Sequence, residues 1–264
     1  MARTRRVLVV GACGRMGERV RAAVAEEPAL QLGAALEAAG HPHLGEALEP
    51  GVEVCDDLKA SLARCDVVID FSTPGATLAA LRAAAEAQRA YVTGTTGFSA
   101  DQRAELESLA RRTPLVAAPN FSVAVNVLAW LVYQAARRLG PGYDAELVEL
   151  HHAAKRDAPS GTALRLAQAV ADARGWKLAD HLVVQREGEI GPRPADSIGV
   201  QTLRGGDNPG EHTVLFVGAG ERLELVHRAQ TRDHFARGAV RAAVWLADRP
   251  PGLYRIEQVL GLED

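Results

Sequence analysis

Along the first half of the chain, short apolar runs rich in β-branched residues alternate with longer stretches of helical period. Arg6 to Val10 reads as a strand, and after a glycine turn an alanine- and arginine-rich helical pattern runs to about Glu27 and stops at Pro28. Leu30 to Leu36, Asp66 to Phe71, Ala90 to Thr93 and Leu115 to Ala118 read as further strands. Helices from about Gly75 to Glu86 and from about Ser99 to Arg111 lie between them. This rhythm predicts an α/β fold with a doubly wound parallel sheet, because each parallel pair needs a crossover helix.

The pattern then changes. Val123 to Leu139 is a long helical stretch on which Trp130 and Tyr133 read as packing residues, and Gly140-Pro141-Gly142 ends it. Ala145 to Leu150 reads as a strand and Ala163 to Arg174 as a helix closed by Gly175. His181 to Arg186, Ile198 to Leu203, Glu211 to Val217 and Glu221 to Arg228 are strand-like and separated by glycine-rich turns. Strands without intervening helices predict an α+β unit with an open, mixed or mostly antiparallel sheet. Such a sheet must cover its second face, so pairing with sheets of other subunits is expected. Thr231 to Leu246 is helical again, and Tyr254 to Leu260, a short helix or turn, is expected to pack back on the first domain. The expected domains are 1–121 completed by 232–264, and 122–231.

Composition narrows the class. The chain has 264 residues, with 47% hydrophobic, which suits a globular protein with a sizeable core. Lys plus Arg total 30 against 33 for Asp plus Glu, a net charge of −3, which argues against nucleic acid as a partner. No apolar run approaches the roughly 20 residues of a membrane span. Cys13, Cys55 and Cys65 form no paired framework, so a reducing cytoplasm is expected.

The turn Gly11-Ala12-Cys13-Gly14-Arg15-Met16-Gly17 sits between strand and helix, the context in which glycines let backbone approach a pyrophosphate. Its spacing is Gly-x-x-Gly-x-x-Gly, with Cys13 in the usual place of a second glycine. Glu37 ends the second strand, twenty residues past Gly17, where a carboxylate meets the adenosine ribose. Gly94-Thr95-Thr96-Gly97 and Pro119-Asn120-Phe121-Ser122 fall at the ends of later strands, beyond which such sheets bind ligands. Together they predict a Rossmann-type cofactor crevice.

The densest chemistry is His151-His152-Ala153-Ala154-Lys155-Arg156-Asp157-Ala158-Pro159-Ser160-Gly161-Thr162. Ser160 can cap the following helix, and free amides at a helix start bind anions. If the strand runs on to Lys155, His151 and Lys155 share a face and His152 looks away. A cofactor crevice plus this cationic segment suggests hydride transfer to an anionic acceptor, whose neighbouring atom then needs a proton from a lysine ammonium or an imidazolium. Lys155 could supply it, and His151 could steady developing charge or relay a proton. His152 and the Ser160-Gly161-Thr162 turn could hold substrate carboxylates. No metal is expected, since no Cys or carboxylate lies at zinc-ligand spacing from the two histidines.

At these residues the chain resembles the 4-hydroxy-tetrahydrodipicolinate reductase (dihydrodipicolinate reductase) family over essentially its whole length. The resemblance lies in Val-Gly-Ala-Cys-Gly-Arg-Met-Gly at 10–17, Gly-Thr-Thr-Gly at 94–97, Asn-Phe-Ser-Val at 120–123, Glu-Leu-His-His-Ala-Ala-Lys-Arg-Asp-Ala-Pro-Ser-Gly-Thr-Ala at 149–163 and Gly-Glu-His-Thr-Val at 210–214. It implies an NADH- or NADPH-dependent reduction, with loss of water, of a cyclic imine dicarboxylate to tetrahydrodipicolinate, in the diaminopimelate route of lysine biosynthesis. It implies His151 as proton donor and acceptor, Lys155 as proton donor, and His152, Gly161 and Thr162 on the substrate carboxylates. Cofactor residues would be Gly11, Ala12, Cys13, Gly14, Arg15, Met16, Glu37, Gly94, Thr95, Thr96, Ala118, Pro119, Asn120 and Phe121. The second domain would bind substrate and form a homotetramer. Ala38 stands where some members carry an arginine after the ribose acid, so NADH is expected to serve at least as well as NADPH, with Arg15 able to reach a 2′-phosphate.

Overall fold

The computed structural model describes residues 3–262; residues 1–2 and 263–264, the ends of the expected first domain, lie outside the described residues. The chain begins with strand β1 (Arg5–Val10), helix α1 (Arg15–Glu26), β2 (Leu30–Leu36), β3 (Ala47–Glu49), β4 (Val52–Cys55), α2 (Leu58–Ala63), β5 (Val67–Asp70), α3 (Pro74–Glu86), β6 (Ala90–Thr93), α4 (Ala100–Ala110) and β7 (Pro114–Ala117). It continues through α5 (Val123–Leu139), β8 (Asp144–His151), α6 (Gly161–Arg174), α7 (Leu178–His181), β9 (Leu182–Val183), β10 (Ile198–Arg204), β11 (Glu211–Val217) and β12 (Arg222–Arg228). It closes with α8 (Asp233–Leu246), β13 (Gly252–Tyr254) and α9 (Ile256–Leu260). Two compact units result: one runs to Val123 and resumes at Asp233, and the other is Ala124–Arg232.

The first unit holds an eight-stranded sheet in the order β13-β7-β6-β5-β1-β2-β4-β3. Every pair is parallel except β3 with β4. Both faces are covered, so its central strands read as unbroken apolar runs. In β1, Val7 and Val9 join a core with α1, α8 and α9, while Leu8 and Val10 face the other way into a core with α3 and α4. Burying side chains of this size contributes about 1.5–3 kcal/mol each. Ser99 caps α4 in a capping box with Gln102. The last strand, β13, adds in parallel beside β7.

The second unit is a five-stranded sheet in the order β12-β11-β8-β10-β9. β11 runs antiparallel to both β12 and β8, whereas β8, β10 and β9 run parallel. The sheet is therefore mixed: α6 lies between β8 and β10 in sequence, as a parallel connection requires. The inward residues Ala145, Leu147, Val200, Val214 and Phe216 pack with Leu128, Val132, Leu166 and Val170 of α5 and α6. The outward face is bare, with Leu203, Val217 and Val226 exposed.

Two local expectations change. His181 to Arg186 is strand only at Leu182–Val183, preceded by the helical turn α7. Beyond it, Arg186 leaves the edge to pair with the Glu146 carboxylate at 2.7 Å. The strand expected over Ala145 to Leu150 runs from Asp144 to His151, so the condition under which Lys155 would share a strand face with His151 is not met.

Candidate active site

In the first unit, β1 ends at Val10 and turns through Gly11 to Gly14 into α1. Gly11 adopts φ +72°, a region that favours glycine. A side chain on Gly17 would overlap the carbonyl oxygen of Gly11, so glycine there lets α1 lie against the turn. The amides of Gly11 and Ala12 donate to the Leu36 carbonyl at 2.9 and 3.3 Å, and that of Gly14 to the Gly11 carbonyl at 3.1 Å. These N–H groups are spent on shaping the loop. The groups that remain for an anion are the first amides of α1, at Arg15 and Met16, which have no acceptor within the helix; the Glu18 amide already bonds the Gly14 carbonyl at 3.0 Å.

The Cys13 amide donates to Glu37 Oε1 at 2.7 Å, tying the glycine turn to the end of β2. The other carboxylate oxygen of Glu37 lies 4.0 Å from Nε2 of His41. His41 Nδ1 accepts from the His43 amide at 3.3 Å, which turns Nε2 towards Glu37. A cavity of about 460 Å³ opens here, lined by Gly11, Gly14, Glu37, Ala38, His41, Phe71 and Thr73 among others. Glycine backbone, a helix start and a strand-end carboxylate around an open cavity fit the adenosine and pyrophosphate of a dinucleotide.

The other expected cofactor residues lie at the carboxyl ends of β6 and β7. Gly94 has no room for a Cβ, which would overlap the Phe71 ring. Thr95 is buried, with its hydroxyl accepting from Thr77 at 2.9 Å, while Thr96 is exposed. The Ala118 amide donates to the Thr93 carbonyl at 3.1 Å, and Asn120 Oδ1 accepts the Ser122 amide at 2.8 Å. Pro119 is exposed. The Phe121 ring is core, edge-on to Phe71 at 5.9 Å, so only its backbone is available to a ligand.

In the second unit, alternation along β8 turns Glu149 and His151 to the inward face. Glu149 is fully buried yet accepts five hydrogen bonds: from His151 Nδ1, the Ser160 amide at 3.0 Å, Thr202 at 3.2 Å and both terminal nitrogens of Arg204 at 2.9 and 3.0 Å. Burial alone would raise its pKa, but the bonds from Arg204, His151 and Ser160 outweigh that and hold it below the usual range. Burial lowers the His151 pKa, with Glu149 opposing and Lys155 and Arg204 assisting. A Cβ on Gly210 would lie 2.8 Å from His151 Nε2, so glycine there keeps that nitrogen clear.

After His151 the chain turns. The His152 amide donates to the Asn208 carbonyl at 2.8 Å, and the Lys155 amide folds back on the His152 carbonyl at 3.1 Å. The Lys155 ammonium holds both oxygens of Asp157 at 2.8 and 2.9 Å. Ser160 caps α6, its hydroxyl accepting the Ala163 amide at 3.1 Å and meeting His212 Nε2 at 3.1 Å. Gly161 opens the helix into free space and Thr162 follows in its first turn, the kind of helix start whose free amides can meet an anion. His212 stands edge-on to His151 at 5.1 Å, and burial pushes its pKa down to about 4.

His151, Lys155, Gly161 and Thr162 thus gather at one end of β8, with His152 half-buried beside them. Glu149, Arg204, His212 and, in the first unit, His41 were not singled out from sequence. Glu149 was findable: it is a charged residue at an inward position of an alternating strand.

Residues 5–121 match the family profile "Dihydrodipicolinate reductase, N-terminus" and residues 124–260 match "Dihydrodipicolinate reductase, C-terminus". The chain is 52% identical over 264 residues to the 4-hydroxy-tetrahydrodipicolinate reductase of Anaeromyxobacter dehalogenans strain 2CP-1, covering 97% of this chain and 98% of that one. It is 49% identical to the enzyme of the same name from Desulfotalea psychrophila, covering 98% and 99% of the two chains. Among solved structures, a dipicolinate-bound dihydrodipicolinate reductase from Paenisporosarcina sp. TG-14 matches with TM-score 0.79 and 25% identity over 97% of this chain and 98% of that one.

Proposed function

The chain belongs to the dihydrodipicolinate reductase family, and from that premise we propose how its own residues divide the work of reducing a cyclic imine dicarboxylate with NAD(P)H. The overall reaction is that of a 4-hydroxy-tetrahydrodipicolinate reductase, giving tetrahydrodipicolinate, NAD(P)+ and water in the diaminopimelate route to lysine. The observation that carries the assignment of roles is the gathering of His151, Lys155 and the open start of α6 at one end of β8.

When bound, NAD(P)H supplies the hydride. The first amides of α1, from Arg15 and Met16, hold its pyrophosphate, and Glu37 accepts from a ribose hydroxyl. Gly11 to Gly14, Gly94 to Thr96 and Ala118 to Phe121 present backbone and small side chains around the dinucleotide. Gly161, Thr162 and His152 hold the substrate carboxylates; that the Paenisporosarcina reductase binds dipicolinate supports a dicarboxylate ligand for this family. Lys155 exchanges Asp157 for the substrate and donates the proton that the reduced ring requires. His151 takes and returns a proton through Nε2.

Ala38 offers no cation beside Glu37, which supports NADH serving at least as well as NADPH. The bare face of the second sheet supports a homotetramer built by pairing those faces. No helix among the described residues is long and apolar enough to cross a membrane, and the three free cysteines suit a reducing cytoplasm.

Lys155→Ala tests the assignment. It should leave the dissociation constant for NADH unchanged and lower kcat roughly 10²–10⁴-fold, the usual contribution of a positioned acid. Parental turnover in that variant would remove Lys155 from the chemistry.

A further inference from the structure

Resting on the reading above, we infer that Glu149 is the positioning residue of this site, holding the His151 imidazole, the carboxylate-binding turn and the Lys155 loop in one register. Three separate contacts carry this. His151 Nδ1 bonds the Glu149 carboxylate, which can only accept, so Nδ1 is the donor and Nε2 is left to exchange the reaction's proton. The same carboxylate takes the Ser160 amide at 3.0 Å, fixing the residue that caps α6 immediately before Gly161 and Thr162. Arg204, bidentate on Glu149, reaches with Nη2 to the Asp157 carbonyl at 2.7 Å, anchoring the loop that carries Lys155.

The sheet register makes this possible. Thr202 on β10 and His212 on β11 lie directly opposite Glu149, and Arg204 lies opposite His151. A fully buried carboxylate is costly unless its lone pairs are filled; here His151, Ser160 and Arg204 fill them from parts of the site, and the Thr202 hydroxyl adds one further bond. For a wholly structural ion pair, Arg204 alone would suffice. The other bonds, to His151 and Ser160, are the ones that a proton-transfer and anion-binding site needs. The comparable carboxylate behind a metal-bound histidine sets tautomer and orientation, and its loss typically costs ten- to hundredfold.

The charged and titratable groups facing His151 are Glu149 on its own strand, Arg204 on β10, His212 on β11 and Lys155 on the following loop. Among them Glu149 is the one anion. Replacing it with a neutral amide removes the opposition to desolvation, so the His151 limb of the pH–rate profile should move to lower pH.

Two measurements decide the matter. In the wild-type enzyme, side-chain ¹⁵N–¹H spectra above the His151 pKa, assigned by the signal lost in His151→Asn, should show the proton on Nδ1. In Glu149→Gln, kcat should fall on the order of ten- to hundredfold, KM for the dicarboxylate should rise, the NADH dissociation constant should stay, and the acid limb should shift down. A purely structural role would lower the melting temperature while leaving kcat per folded site and the limb in place. That result, or an Nε2-protonated His151 in the wild type, would overturn the inference. The tautomer reading needs no variant and no turnover. It therefore stands or falls separately from the assigned reaction, which a wild-type enzyme inert towards the dicarboxylate would refute.

Discussion

Glu37 lines the cavity at the glycine turn, with one carboxylate oxygen taken by the Cys13 amide. We expect Glu37→Ala to weaken NADH binding roughly tenfold or more, the worth of one charge-assisted hydrogen bond, with little change in kcat. Titration of cofactor fluorescence checks this, and unchanged affinity would refute the ribose contact. Cys13 was legible as an oddity of spacing, but its amide bond to Glu37 was not, because that bond links positions 24 apart. Lys155 stood out in sequence as the cation beside two histidines, and its proposed role as proton donor follows from that clustering. The turn that carries Lys155 was not legible, because it depends on backbone bonds to a segment distant in sequence, such as that from the His152 amide to the Asn208 carbonyl.

Elements with strong period were readable, and those defined by long-range pairing were not. β2, β6, α5 and β11 lie at the residues expected, because each carries a full apolar pattern. β3, β4 and β13 are three or four residues long and exist because a neighbouring strand offers an edge, which no local window reveals. In the second unit, β8 and β11 bring Glu149, His151 and His212 together on one inward face. His212 is neutral there, with a pKa near 4 against an ordinary 6.5. Above pH 6.5 both states leave it neutral and it has no effect. As pH falls from 6.5 towards 4, the unfolded chain gains a proton that the folded chain refuses, so stability drops, by up to about 3 kcal/mol from this residue. His151, also lowered, adds in the same direction; Glu149, with a depressed pKa, adds its loss only below about 4.5. Urea unfolding across this range should show the decline, and His212→Asn should flatten it between pH 6 and 4. An equally steep profile in the variant would contradict a buried neutral imidazole.

For the whole molecule, the change from alternating strands and helices to turn-separated strands marks the switch between two kinds of sheet. The structure has a parallel-dominated sheet with both faces covered and a mixed sheet with one face bare. The outward row of Val148, Leu150, Leu203, Leu215, Val217 and Val226 would be an aggregation liability if left in water. Pairing of these faces in the proposed homotetramer would remove it. Val226→Asp should break the assembly, giving a smaller mass by light scattering after size exclusion; an unaltered tetramer, or a monomeric parent, would contradict the proposed interface.

Most directly, the reductase chemistry can be read as nicotinamide absorbance after adding freshly generated 4-hydroxy-tetrahydrodipicolinate to the purified enzyme with NADH or NADPH. We expect substrate-dependent loss of the reduced cofactor, at least as efficient with NADH. No substrate-dependent change with either cofactor would contradict the assigned reaction, and a strong preference for NADPH would contradict the reading of Ala38.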